Sequence, residues 1–295
     1  MKRTLLLLFL ALSLLFSSCS TARRETDVST EADFPASIPL TAEESLPTFE
    51  GEPFAILNEN KPYFSLSEFG RDPFEEYGKE DALGRCGSTR ALIGRELMPT
   101  EDRGSIGQVK PTGWHTVKYD FVDGKYLYNR CHLIGFQLTG ENANVRNLIT
   151  GTRYLNVEGM LPFENMVADL IKETDLHVAY RVTPVFLGDE LVARGVVMEA
   201  MSLEDEGESI EFCVFCFNVQ PGVKIDYATG ESEESDEVKE PQDTTLYVLN
   251  TNTKRIHLPH CSSVGSISDK NRKESTLSLP LLKAQGYTPC GICLK

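Results

Sequence analysis

The sequence predicts an α+β domain followed by a small second module, and three observations carry the expectation. First, an Asp-Gly turn within Val122-Asp123-Gly124-Lys125 joins two short strand-like runs, residues 116–121 and 126–130, which is the pattern of a β-hairpin. Second, Leu161, Val167, Leu170 and Ile171 recur at helical spacing between residues 156 and 173. Third, residues 177–186, 191–200, 210–219 and 223–227 alternate or are rich in Val, Ile and Phe, and read as an antiparallel sheet. A hairpin and a helix laid against such a sheet define the class.

At 295 residues the chain has room for one ordinary domain and a small companion. Residues 1–18 read as a signal peptide. Met1-Lys2-Arg3 is basic, the apolar run 5–16 is too short for a comfortable membrane span, and Ser17-Ser18-Cys19 is a small-residue cleavage site. A cysteine there resembles a bacterial lipobox, which implies a diacylated Cys19 and a protein anchored on the outer face of the membrane. The alternative is simple secretion, with Cys19 inside the removed peptide. Residues 19–52, rich in Ser, Thr, Glu and Pro, read as a tether. Residues 53–229 hold the main domain, the acidic run 230–243 is a linker, and 244–295 form the small module.

A formal net charge of −15 argues against a chain that coats nucleic acid. Its distribution softens the argument. Residues 201–250 carry 13 acidic and 2 basic side chains, residues 101–150 carry 6 basic and 5 acidic, and residues 251–295 carry 7 basic and 2 acidic. The acid sits mostly around the linker, and the centre of the domain is near neutral.

That centre carries the chemistry. His132 follows Arg130 at the end of a strand-like run, and Asn147, Asn156 and Glu164 come after it. A neutral imidazole can take a proton from water near pH 7, and Asn and Glu oxygens suit a hard cation, which together are the needs of phosphodiester hydrolysis. Four stretches in fixed order, PTGWH at 111–115, YLYNRCHLIGFQLTGENANVRNLITGTRYLN at 126–156, GMLPFEN at 159–165 and NVQPGVKIDYATGES at 218–232, resemble the DNA/RNA non-specific endonuclease family, whose fold is the ββα-metal nuclease fold. The family signature Asp-Arg-Gly-His reads here Asn129-Arg130-Cys131-His132, so its first and third positions differ.

The resemblance implies roles. His132 is the general base. Asn156 is the single protein ligand to Mg²⁺, with Mn²⁺ as a substitute, and Glu164 holds the hydrated ion through water. Two helical turns span about 12 Å, so both could not touch one ion from a regular helix. Pro162 suits a first turn, which leaves Asn156 in a turn or irregular segment before the regular helix. Asn147 orients the site, Arg130 clamps a phosphate, and Arg85 is a transition-state clamp. His115 reads as structural.

The module places His257, His260, Cys261, Cys290 and Cys293 within 52 residues, and a CxxC pair with an upstream His-x-x-x-Cys supplies ligands for tetrahedral zinc. The region resembles small Ada-like zinc-binding modules, which implies His257, Cys261, Cys290 and Cys293 as the set, with His260 competing. A disulfide with one odd thiol is the alternative. Cys213 and Cys216 lie three apart in a strand, hence on opposite faces, and read as core. Cys86 and Cys131 are free or bridged to each other.

These readings converge on a lipid-anchored, extracellular, Mg²⁺-dependent endonuclease with DNA, and RNA as a second candidate, as substrate, and a structural Zn²⁺. The rival is a receptor that captures DNA on the same fold without cutting it. A monomer is the default expectation.

Overall fold

The computed structural model describes residues 38–236 and 245–294, which belong to one compact unit. Cys19, the signal segment, the first part of the tether and the second half of the linker lie outside them. No helix among the described residues is long and apolar enough to cross a membrane.

In chain order the elements are β1 (Phe54–Ile56), β2 (Phe74–Tyr77), β3 (Thr89–Ile93), β4 (Tyr128–His132), α1 (Phe136–Thr139), β5 (Leu148–Thr152), a π-helical segment (Leu155–Met160), α2 (Leu161–Glu173), β6 (Val178–Val185), β7 (Gly195–Ser202), β8 (Glu211–Phe217), β9 (Val223–Ile225), β10 (Ser232–Glu234), β11 (Tyr247–Asn250), β12 (Arg255–His257), β13 (Arg272–Ser275), α3 (Leu279–Ala284) and β14 (Thr288–Pro289). Six strands form one antiparallel sheet in the order β1-β8-β7-β6-β3-β2.

Period-two alternation gives that sheet two apolar faces. Phe212, Val214 and Cys216 of β8 join Val196 and Met198 of β7 under α2, which contributes Phe163, Val167, Ala168 and Ile171. The intervening Cys213, Phe215 and Phe217 face the other way, against Ile38 and Leu40 of the N-terminal strap. The two cysteines of FCVFCF thus lie on opposite faces, both buried and both free thiols.

Three expected elements differ. Residues 116–121 form no strand: a single bridge, Lys118 to Tyr126, closes a tight loop in which Gly124 and Lys125 both have positive φ. The ladder partner of β4 is β5, with His132 opposite Leu148, so the hairpin is made by distant chain. Residues 223–225 leave the large sheet and pair with β10. Leu161, expected on the apolar stripe, is 37% exposed, because Phe163 two positions on takes the inward direction, roughly 200° away around the helix.

In the C-terminal region β13-β11-β12-β14 form a four-stranded sheet. One face packs Leu249 and Ile256 against Leu282 and Tyr287, and the other packs Val248 against Cys261, Val264, Ile267 and Cys290. Leu281 and Ala284 of α3 also join the core beneath the six-stranded sheet.

Candidate active site

Strands β4 and β5 with α2 make a ββα unit whose open end holds the candidate residues. His132 closes β4 and is 6% exposed. Its Nε2 lies 2.7 Å from the Asn142 carbonyl, which can only accept, so Nε2 carries the proton and a neutral ring keeps its lone pair on Nδ1. Arg103 Nη2 donates to Nδ1 at 3.2 Å. Burial holds the imidazole down at about 4, opposed by the hydrogen bond to the Asn142 carbonyl and helped, least of the three, by the Arg103 charge. The ring is therefore an uncharged acceptor at neutral pH.

Asn147 acts one step back. Fully buried, it accepts from Ile134 N–H through Oδ1 at 2.8 Å and donates to the Ile134 carbonyl through Nδ2 at 2.9 Å. Its own carbonyl accepts from Leu133 N–H at 2.8 Å. The chain leaving His132 is thereby held in one conformation.

Asn156 lies in the π-helical segment, just before α2 opens with Pro162 in its first turn. The wider turn supplies the irregularity that a straight α-helix lacks. The side-chain amide of Asn156 makes no hydrogen bond among the described residues. Asn156, Glu164 and His132 line one cavity of about 190 Å³ with Arg103, Gly135, Phe136, Gln137 and Leu161.

Burial pushes the Glu164 carboxyl up to about 7, opposed by a hydrogen bond from Gln137 and by the Arg103 charge. Its carboxylate presses on the backbone at Gly135, where a Cβ would lie 2.7 Å from the carboxyl carbon, so only glycine leaves that place open. An unpartnered amide oxygen beside a carboxylate short of compensation suits a hard, hydrated cation such as Mg²⁺.

The other expected arginines are elsewhere. Arg130 shares a face of β4 with His132, but its Nε donates to the Val109 carbonyl and its Nη2 to Gly107 at 2.8 Å, with the guanidinium 4.0 Å from the Trp114 ring centre. Arg85 is held by Asp81 at 2.6 Å and by the Gly188 and Glu190 carbonyls. Neither lines the cavity; the arginine that does is Arg103. Residues 103–109 run along β4 and hand Arg130 two carbonyls while bringing Arg103 to the histidine. Arg103 had no motif to mark it, because only the folded loop places it there. His115 donates through Nε2 to the Thr229 carbonyl at 3.1 Å, a loop contact.

The two departures from the family signature are absorbed locally. Cys131 points into the core, and a Cβ on Gly151 would collide with its sulfur, so the added bulk is matched by an absent side chain across the hairpin. Asn129 Oδ1 accepts from Arg153 at 3.4 Å, and Arg153 pairs with Asp123 at 2.7 Å. Cys86 and Cys131 are separate free thiols.

In the C-terminal module the ligand atoms of His257, Cys261, Cys290 and Cys293 lie within 4.8 Å of one another. The Cys261 and Cys290 sulfurs are 4.0 Å apart; a zinc tetrahedron with Zn–S near 2.3 Å has an edge of about 3.8 Å. His257 is buried and its Nδ1 has no hydrogen-bond partner, whereas His260 is exposed and outside the cluster. The donor set fits Zn²⁺, with His257 as the nitrogen ligand.

A ββα unit with a histidine, an asparagine and a glutamate around one cavity, packed on an antiparallel sheet, defines the ββα-metal nuclease fold. Residues 69–203, just under half of the chain, match the family described as DNA/RNA non-specific endonuclease. A deoxyribonuclease of Streptococcus dysgalactiae subsp. equisimilis is 34% identical over 110 residues, which are 36% of this chain and 32% of that protein. The chain thus matches about a third of the length of that relative. The crystal structure of NucA from Streptococcus agalactiae without metal superposes with a TM-score of 0.56 at 25% identity, covering 66% of this chain and 92% of that one. Its magnesium-bound form gives 0.58 at 24% identity over 66% and 94%, a likeness of fold.

Proposed function

We propose that the protein is a Mg²⁺-dependent endonuclease that hydrolyses DNA, with RNA as a second substrate, at low sequence specificity. The observation that carries the reading is the convergence of His132, Asn156 and Glu164 on one cavity in a domain that matches this family. Asn156 and Glu164 would hold the cation, which when bound supplies positive charge to the phosphate and the leaving oxygen.

The chain's own groups do the rest. The Nδ1 lone pair of His132 takes the proton from the attacking water, and the bond from Nε2–H to Asn142 keeps that lone pair aimed at the cavity. Arg103, which occupies Nδ1 in the absence of substrate, turns its guanidinium to the incoming phosphate and leaves the base free. Asn147 is a positioning residue. Cys19 anchors the chain to the outer face of the membrane, and His257, Cys261, Cys290 and Cys293 hold a structural Zn²⁺.

Plasmid degradation in buffer with and without magnesium tests the reading. Cleavage only with magnesium is expected; intact plasmid with magnesium would reduce the protein to a binder.

A further inference from the structure

The C-terminal module carries a set of cations that the nuclease chemistry does not use. Within residues 245–294 there are six basic side chains, Lys254, Arg255, Lys270, Arg272, Lys273 and Lys283, against two acidic ones, in a chain whose net charge is −15. All six are exposed. Among the described residues none of the six forms an ion pair. In the nuclease domain Arg85, Arg90, Lys125, Arg153, Arg181 and Arg194 are each spent on a carboxylate, while others, such as Lys110, Lys118 and Arg146, form no ion pair among the described residues. Unpaired cations in an acidic protein raise its self-energy little, yet they leave a local surface that attracts polyanions.

The sheet collects four of the six at one end. Asn250 stands opposite Arg255 on one side and Arg272 on the other, so the two arginines share a row and a face across three strands, roughly 10 Å apart. Lys254 sits in the turn that joins β11 to β12, stacked 5.0 Å from the Tyr287 ring centre, and Lys270 precedes β13. A hydrogen bond from Thr251 N–H to the Asn271 carbonyl, 2.9 Å, ties the turn to the start of β13.

The opposite end of the module is docked beside the catalytic helix. A cavity of about 440 Å³ is shared by Thr276, Leu277, Ser278 and Leu281 of the module with Val157, Glu158 and Pro162, which flank Asn156 and Leu161. One strand length, roughly 10 Å, therefore separates the basic end from the junction. That reach suits contact with backbone several nucleotides from the cut, where the catalytic groups hold nothing.

We infer that the basic end of the C-terminal module, Lys254, Arg255, Lys270 and Arg272, binds the phosphate backbone of nucleic acid flanking the scissile bond. The identity of the polyanion rests on the nuclease reading; the surface itself does not. Charge complementarity selects a polyanion, and the docking beside the π-helical segment selects the one that enters the catalytic cavity.

The test replaces all four residues by Gln in the full-length chain, in a His132→Ala background that prevents cutting, in magnesium-free buffer with no chelator so that zinc is kept. Fluorescence anisotropy with a duplex of about 30 base pairs is read against salt, and the expected result is affinity weakened by about 10-fold or more at low salt, with the log–log salt slope shallower by up to about 3.6. Retention of the wild-type melting transition shows that the variant is folded. Unchanged affinity and slope would overturn the inference, as would loss of binding to phosphatidylserine vesicles with DNA binding intact, which would turn the surface toward lipid. Wild-type protein that cuts no nucleic acid in magnesium would sink the nuclease reading and leave this measurement to stand or fall alone.

Discussion

His132 donates through Nε2–H to the main-chain carbonyl of Asn142 at 2.7 Å, and this one bond sets which nitrogen faces the cavity. A carbonyl cannot donate, so the tautomer is decided by backbone rather than by substrate. The ring should then titrate as a buried base with the Arg103 guanidinium beside its Nδ1. Proton–nitrogen correlation spectra of the magnesium-free protein are expected to show the Nε2–H tautomer with a midpoint near 4. A midpoint near the ordinary 6.5, or the opposite tautomer, would contradict this.

Stability against pH carries a second signature. Because His132 falls from 6.5 to about 4 on folding, the unfolded state takes the proton first, and stability declines as pH drops through that window. Glu164 rises from 4.5 to about 7, so the folded state keeps its proton longer, and stability declines as pH climbs through that window. The slopes oppose each other between 4.5 and 6.5. Urea unfolding without magnesium should be nearly flat there for wild type, should rise with pH in Glu164→Gln, and should fall with pH in His132→Phe. Parallel curves for all three proteins would refute the paired shifts.

Two arginines near one strand should respond differently. Arg103→Ala is expected to lower kcat/KM on DNA by about 100-fold or more, the loss of one phosphate donor, with little effect on unfolding. Arg130→Ala strands the carbonyl of buried Val109 and should cost about 1–3 kcal/mol of stability. Steady-state kinetics and urea unfolding on both variants separate these outcomes, and a reversed pattern would return the phosphate role to Arg130.

The zinc cluster discriminates between two histidines three residues apart. Buried His257, with its orphaned Nδ1, is expected to be required for one bound zinc per chain, and exposed His260 dispensable. Elemental analysis of His257→Ala and His260→Ala decides it; zinc retained in the first and lost in the second would reverse the assignment.

How much of this was legible in the sequence depended on range. Residues 178–185 and 211–217 appeared as strands because their alternation is local, and the opposite-face argument for Cys213 and Cys216 needed only a period of two. Pro162 marked the start of α2 through its own backbone chemistry. The pairing of β4 was misread because a strong Asp-Gly turn sits next to it, while its true partner begins 16 residues after His132, at Leu148 opposite it. Nothing in the residue pattern announced a π-helical turn at Asn156. Arg103 was invisible for the same reason that Arg130 looked catalytic: which guanidinium reaches the cavity is decided by how the 103–109 loop lies on the strand.

The central claim is that His132 is the base. The most direct measurement is the initial rate of supercoiled plasmid cleavage in magnesium by His132→Ala beside wild type, both checked for folding by circular dichroism. A loss of about 10³-fold or more with the fold retained is the predicted result. Equal cutting by the two proteins would remove the imidazole from the chemistry.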